Sequence, residues 1–108
     1  SEFSQKGRQQ FAVELLTLFL ELAEPKGRDL ADAVARGDLA AVRGLAHDLA
    51  GMSGPIRAEG LGRAMRQLQD ACREGDLAAC RKSHALAGQA LATVLRAVRA
   101  HPYLTACP

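Results

Sequence analysis

Three breaks, Gly37-Asp38, Gly54-Pro55 and Glu74-Gly75-Asp76, divide this chain into runs whose apolar residues recur every three or four positions, and that pattern constrains the fold more than anything else in the sequence. Glycine suits the C-terminal stop of a helix and aspartate the N-cap of the next, while Gly54-Pro55 denies the chain a continuing hydrogen bond. The spacing predicts helices over roughly 9–23, 25–36, 38–53, 58–73 and 76–100. Phe11, Leu15, Leu18, Phe19 and Leu22 should face inward from the first, and Leu30, Ala33 and Val34 from the second. Leu39, Val42, Leu45, Ala46, Leu49 and Met52 form the stripe of the third, and Leu61, Ala64, Met65, Leu68 and Cys72 that of the fourth. The fifth turns Leu77, Cys80, Ala87, Leu91, Val94, Leu95 and Val98 inward, and Pro102 closes it. Pro25 is expected to end the first helix or bend it sharply, then to serve in the first turn of the second. Short loops imply antiparallel neighbours. The expected fold is all-α: an antiparallel four-helix bundle with an additional N-terminal helix.

A chain of 108 residues has room for one core. An aromatic share of 4%, with many Ala, Leu and Arg residues, favours packed helices over sheet. The formal charge of +2 is small and the arginines are scattered, which argues against nucleic acid: that surface needs a basic stripe interleaved with aromatics. No apolar run approaches the ~18 residues that a membrane span needs, and no signal sequence is visible. Cys72, Cys80 and Cys107 form an odd set without framework spacing, which reads as a reducing, cytoplasmic setting without a structural disulfide. Ser1-Glu2-Phe3 reads as a vector-derived scar, leaving 4–108 as a single domain excised from a longer parent.

His47 interrupts the third helical pattern. At roughly 100° per residue it falls about 160° from the centre of the apolar stripe, so its ring should point into water. Ala40, Gly44, Ala50, Gly51 and Gly54 surround it on that face, with Arg43 the nearest long side chain. Glycine within a helix costs about 1 kcal/mol relative to alanine, so Gly44 and Gly51 suggest that another backbone must come close. A neutral imidazole on such a bare platform is a nucleophile open to a large docking partner.

The run His47-Asp48-Leu49-Ala50-Gly51, followed by Met52-Ser53-Gly54 and later by Leu61 and Leu68-Gln69, resembles the signature of histidine-containing phosphotransfer (HPt) domains. The preceding Gly37-Asp38-Leu39 also fits, so the resemblance covers nearly the whole chain. It implies a phosphocarrier module of a multistep phosphorelay. The outer ring nitrogen of His47 would take a phosphoryl group from a receiver-domain aspartate and pass it to another receiver. It further implies that Gln69 steadies the ring through its inner nitrogen. The domain itself would bind no cofactor, Mg²⁺ being supplied by the receiver. The lysine common three residues after the histidine is Ala50 here, leaving Arg43, one turn before His47, as the candidate cation. The expected partners are the receiver domains of a parent kinase and of a response regulator. The parent would be a bacterial hybrid sensor histidine kinase anchored in the inner membrane, with this module cytoplasmic, monomeric and free of direct membrane contact.

Gly37-Asp38-Leu39-Ala40-Ala41-Val42-Arg43 returns as Gly75-Asp76-Leu77-Ala78-Ala79-Cys80-Arg81, and His-x-Leu-Ala-Gly follows each copy. The second copy lacks one residue before its histidine. His84 is thereby turned by about 100° toward the apolar face, which marks it as a core or boundary residue. Cys80 and His84 stand one turn apart, but two ligands are too few for a metal site. His101, beside Pro102, is expected to be exposed. A different class of function is a helical adaptor that docks a receiver or another protein without accepting phosphate. A hydrolytic or metal-dependent enzyme lacks clustered carboxylates, a paired nucleophile and base, or a phosphate loop.

Overall fold

The computed structural model describes residues 2–105, which form α1 (Glu2–Arg36), α2 (Leu39–Ser53), α3 (Glu59–Arg73), α4 (Leu77–Arg99) and the short α5 (Pro102–Thr105). Cys107 lies outside the described residues. Helix α1 packs on α2 and α4, and α3 packs on α2 and α4, which closes a four-helix bundle. Asp38 and Asp76 cap α2 and α4 as their positions predict, each carboxylate accepting from the backbone N–H three residues on, at 3.1 Å. Gly37 and Gly75 take φ of 70° and 74°, the left-handed conformation that ends a helix and that glycine adopts without Cβ strain.

Pro25 neither ends α1 nor divides it: one helix of 35 residues runs through it. The additional N-terminal helix is therefore the forward half of the first bundle helix. Proline in a helix interior removes a hydrogen bond and crowds the carbonyl four residues back, at a cost of about 3 kcal/mol. Packing on both sides offsets it. Phe19 and Ala23 before the proline and Leu30, Ala33 and Val34 after it all lie in the one core, and only a continuous helix keeps them on one stripe. Ion pairs Arg99–Glu24 at 2.7 Å and Lys26–Asp48 at 3.1 Å tie the helix to α4 and α2 immediately beside Pro25, whose own ring faces solvent.

The forward half departs from expectation in a second respect. Phe11, Leu18 and Leu22 are 66%, 50% and 44% exposed, and of the predicted inward set only Phe19 is fully buried. The remaining helices bury the expected residues, with Val42, Ala46, Leu49, Leu61, Met65, Leu68, Cys80 and Ala87 sealed from solvent. The register of α2 against α3 is fixed at Gly62, where a Cβ would stand 2.6 Å from the Ser53 hydroxyl, which donates to the Ala50 carbonyl. His101 is half-buried rather than exposed: its Nδ1 accepts from the Tyr103 backbone N–H at 3.1 Å and so caps α5.

Candidate functional site

Helix α2 carries His47 on the side away from Val42, Ala46 and Leu49, which lie in the core, and the ring is exposed. A shallow groove of about 690 Å³ between α2 and α3 surrounds it, lined by Ala40, Arg43, Gly44, His47 and Asp48 from α2 and by Gln69 and Arg73 from α3. The two helices run antiparallel, so Arg43, one turn before His47, and Arg73, one turn after Gln69, stand at the same end of the groove. Arg73 was not singled out from the sequence. Its spacing from Gln69 was the available signal, since residues four apart share a helix face.

The Gln69 side-chain amide lies 3.3 Å from His47 Nδ1. This contact anchors the inner edge of the imidazole to α3 and leaves Nε2 as the outer, solvent-facing nitrogen. Asp48, beside the histidine, is held by Lys26 of α1 at 3.1 Å. That pair fixes the α2 carboxylate on the α1 side, away from the α3 side that holds the ring. Its 22-residue separation made it illegible in the sequence.

The glycines divide into two kinds. A Cβ at Gly27 would meet Leu91 at 2.8 Å, and one at Gly62 would meet Ser53 at 2.6 Å, so internal packing requires both. At Gly44, Gly51 and Gly54 a Cβ would meet nothing within 4 Å. The helix penalty at Gly44 and Gly51 has no return inside this chain. Ala50 sits at the edge of the face, half-buried and packed on the core, and does not line the groove. Beyond Gly51 the surface turns apolar: Leu15, Leu18 and Leu22 of α1 form a second groove with Met52, Pro55 and Ile56. The exposed part of α1 thus flanks the histidine face.

His84 does not join this site. It is half-buried between α1 and α4 in a separate groove with Glu24, Arg28 and Arg99, and burial lowers its pKa below the ordinary 6.5. The phase shift between the two echoes is visible in their leucines, since Leu49 is buried while Leu86 is 57% exposed. Among the described residues no three His, Cys, Asp or Glu side chains cluster as a metal site would, and no helix is long and apolar enough to cross a membrane.

The four main helices thus form an up-and-down bundle that presents the His47 imidazole outward on an open glycine face. The sequence matches the Hpt domain family over residues 14–101, and the chain belongs to that family. Hpt domains are histidine phosphotransfer modules of phosphorelays, and they act as phosphocarriers for receiver domains. Comparison with the curated proteins and with the solved structures gave no match.

Proposed function

We propose that His47 is the phosphoryl acceptor, taking the group from a receiver aspartate and returning it to the aspartate of a second receiver. The observation that carries this reading is the exposed ring on a face whose glycines serve no internal contact. The Nε2 lone pair attacks phosphorus, the bond from phosphorus to the aspartyl oxygen breaks, and the carboxylate leaves. For that attack Nε2 must be unprotonated, so Nδ1 carries the hydrogen and donates it. Turning the Gln69 amide about its terminal bond places Oε1 opposite Nδ1 as acceptor with the same heavy-atom spacing. Gln69 thus selects the reactive tautomer and holds the ring in line.

Phosphoryl transfer depends on positioning and on neutralising the charge of the equatorial oxygens. The receiver supplies Mg²⁺ and its acidic pocket. From this side Arg43 and Arg73 supply positive charge where the usual lysine is Ala50. Gly44, Gly51 and Gly54 let the receiver backbone approach, with Ala40 extending the platform, and the apolar groove beside Gly51 holds a hydrophobic element of the partner. The domain serves as the terminal module of a bacterial hybrid sensor kinase anchored in the inner membrane.

The test is incubation with a ³²P-labelled receiver. Wild type should acquire label that is lost in acid and retained in base, and His47→Gln should acquire none. A protein that binds the receiver yet stays unlabelled is an adaptor, and that outcome rejects the phosphocarrier reading.

A further inference from the structure

Cys72 lies near the end of α3 and Cys80 in the first turns of α4, and they face one another across the turn at 74–76 with their sulfurs 3.6 Å apart. Both are free thiols. Packing alone does not require sulfur at the Cys80 end of this contact. In the first copy of the internal echo the position of Cys80 is occupied by Val42, which is equally sealed in the core. Cysteine stands at this position where a second cysteine is within reach. A disulfide has an S–S length of about 2.05 Å, so closing the pair asks the sulfurs to approach by only about 1.5 Å, which side-chain rotation and slight movement at a two-helix turn can supply.

We propose that Cys72 and Cys80 form a reversible intramolecular disulfide in the folded domain when it meets a peroxide, and that this bond restrains the end of α3 that carries Gln69 and Arg73. Cys72 is 7% exposed and Cys80 fully buried, which makes Cys72 the first to react. Its thiolate attacks a peroxide oxygen, the O–O bond breaks, and hydroxide leaves a sulfenic acid on Cys72. The Cys80 sulfur then attacks the Cys72 sulfur, the S–O bond breaks, and water departs with the Cys80 proton. In sum two thiols are oxidised and one hydrogen peroxide is reduced to two waters. Burial, the hydrogen bond with Cys80 and its charge push the Cys72 thiol up to about 12, opposed by the Arg43 charge. The Cys72 thiol therefore stays protonated at neutral pH, and the pair oxidises slowly. The same burial slows reduction of the bond, once made, without preventing it.

The pair is tested in a Cys107→Ser background with excess hydrogen peroxide under native conditions, followed by alkylation in denaturant. The expected product is a monomer that has lost two hydrogen atoms, resists alkylation at both sites, and reverts with dithiothreitol. Trypsin cuts after Arg66, Arg73 and Arg81, so the bond appears as peptide 67–73 joined to peptide 74–81. Cys72→Ala and Cys80→Val, the latter taking the residue of the first echo, should yield no joined peptide while keeping the helical signal. Thiols that become alkylated once denaturant is added, sulfinic acid in place of the bond, or disulfide-linked dimers would each overturn the proposal.

The consequence for the site rests on the phosphotransfer reading above. Label uptake by the oxidised protein should be several-fold slower than by the reduced protein and should recover with dithiothreitol. Equal rates would reject the restraint on the site. Absence of label on the reduced protein would count against the phosphotransfer reading, and the joined peptide would then decide the cysteine pair by itself.

Discussion

Gln69 of α3 touches the inner nitrogen of His47 across 3.3 Å, and it is the contact through which a second helix orients the exposed imidazole. A ring whose side-chain hydrogen bond, among the described residues, is to Gln69 is sensitive to the loss of that contact. Replacement of Gln69 by alanine is expected to slow label uptake about tenfold, the equivalent of a hydrogen bond worth about 1.4 kcal/mol. The ¹⁵N shifts of the His47 ring should report a mixed tautomer in the variant. Unchanged rates and shifts would remove Gln69 from the site.

The two kinds of glycine make opposite predictions. Gly44→Ala adds a methyl group to open space and should stabilise the domain by about 1 kcal/mol. Gly62→Ala forces a carbon against the Ser53 hydroxyl and should destabilise it by about 1–3 kcal/mol. Chemical denaturation of both variants measures the contrast. A larger Gly44→Leu change should leave the fold intact and abolish label uptake by blocking the receiver's approach.

Leu18 is half-exposed beside the histidine face. Leu18→Asp should therefore alter stability by less than about 1 kcal/mol, while weakening receiver binding at least tenfold in a titration calorimeter. Binding at wild-type strength would separate the apolar groove from the docking surface.

Pro25 interrupts the hydrogen bonding of a helix that nonetheless runs on through it, packed against α2 and α4. Pro25→Ala restores a backbone donor and removes the clash with the preceding turn. It is expected to stabilise the fold by about 2 kcal/mol, less than the full helix penalty because the unfolded chain also gains freedom. A thermal melt that moved downward would show that the proline is accommodated without cost.

Burial lowers the His84 pKa in the folded state, so the unfolded chain binds the extra proton more readily. Stability from this residue is present above the ordinary value of 6.5 and is lost as pH falls through it toward the folded value. Denaturation midpoints of the wild type should decline on acidification across that window, and His84→Gln should decline less. Equal slopes would show that His84 does not report the burial seen between α1 and α4.

The sequence by itself determined the helical class, the three breaks, both aspartate caps and the outward phase of His47. These follow from local chemistry: a 3.6-residue period, a capping carboxylate three residues from the N–H it accepts, and the backbone freedom of glycine. Tertiary structure decided what depends on residues far apart in the chain. Pro25 reads locally as a break, but core burial on both sides of it keeps α1 whole. The apolar spacing of Phe11, Leu18 and Leu22 reads as core, yet among the described residues the bundle leaves them 66%, 50% and 44% exposed. Arg73 beside Arg43, Lys26 on Asp48 and the meeting of Cys72 with Cys80 exist only because antiparallel packing brings separate helices into register, a relation no single period encodes.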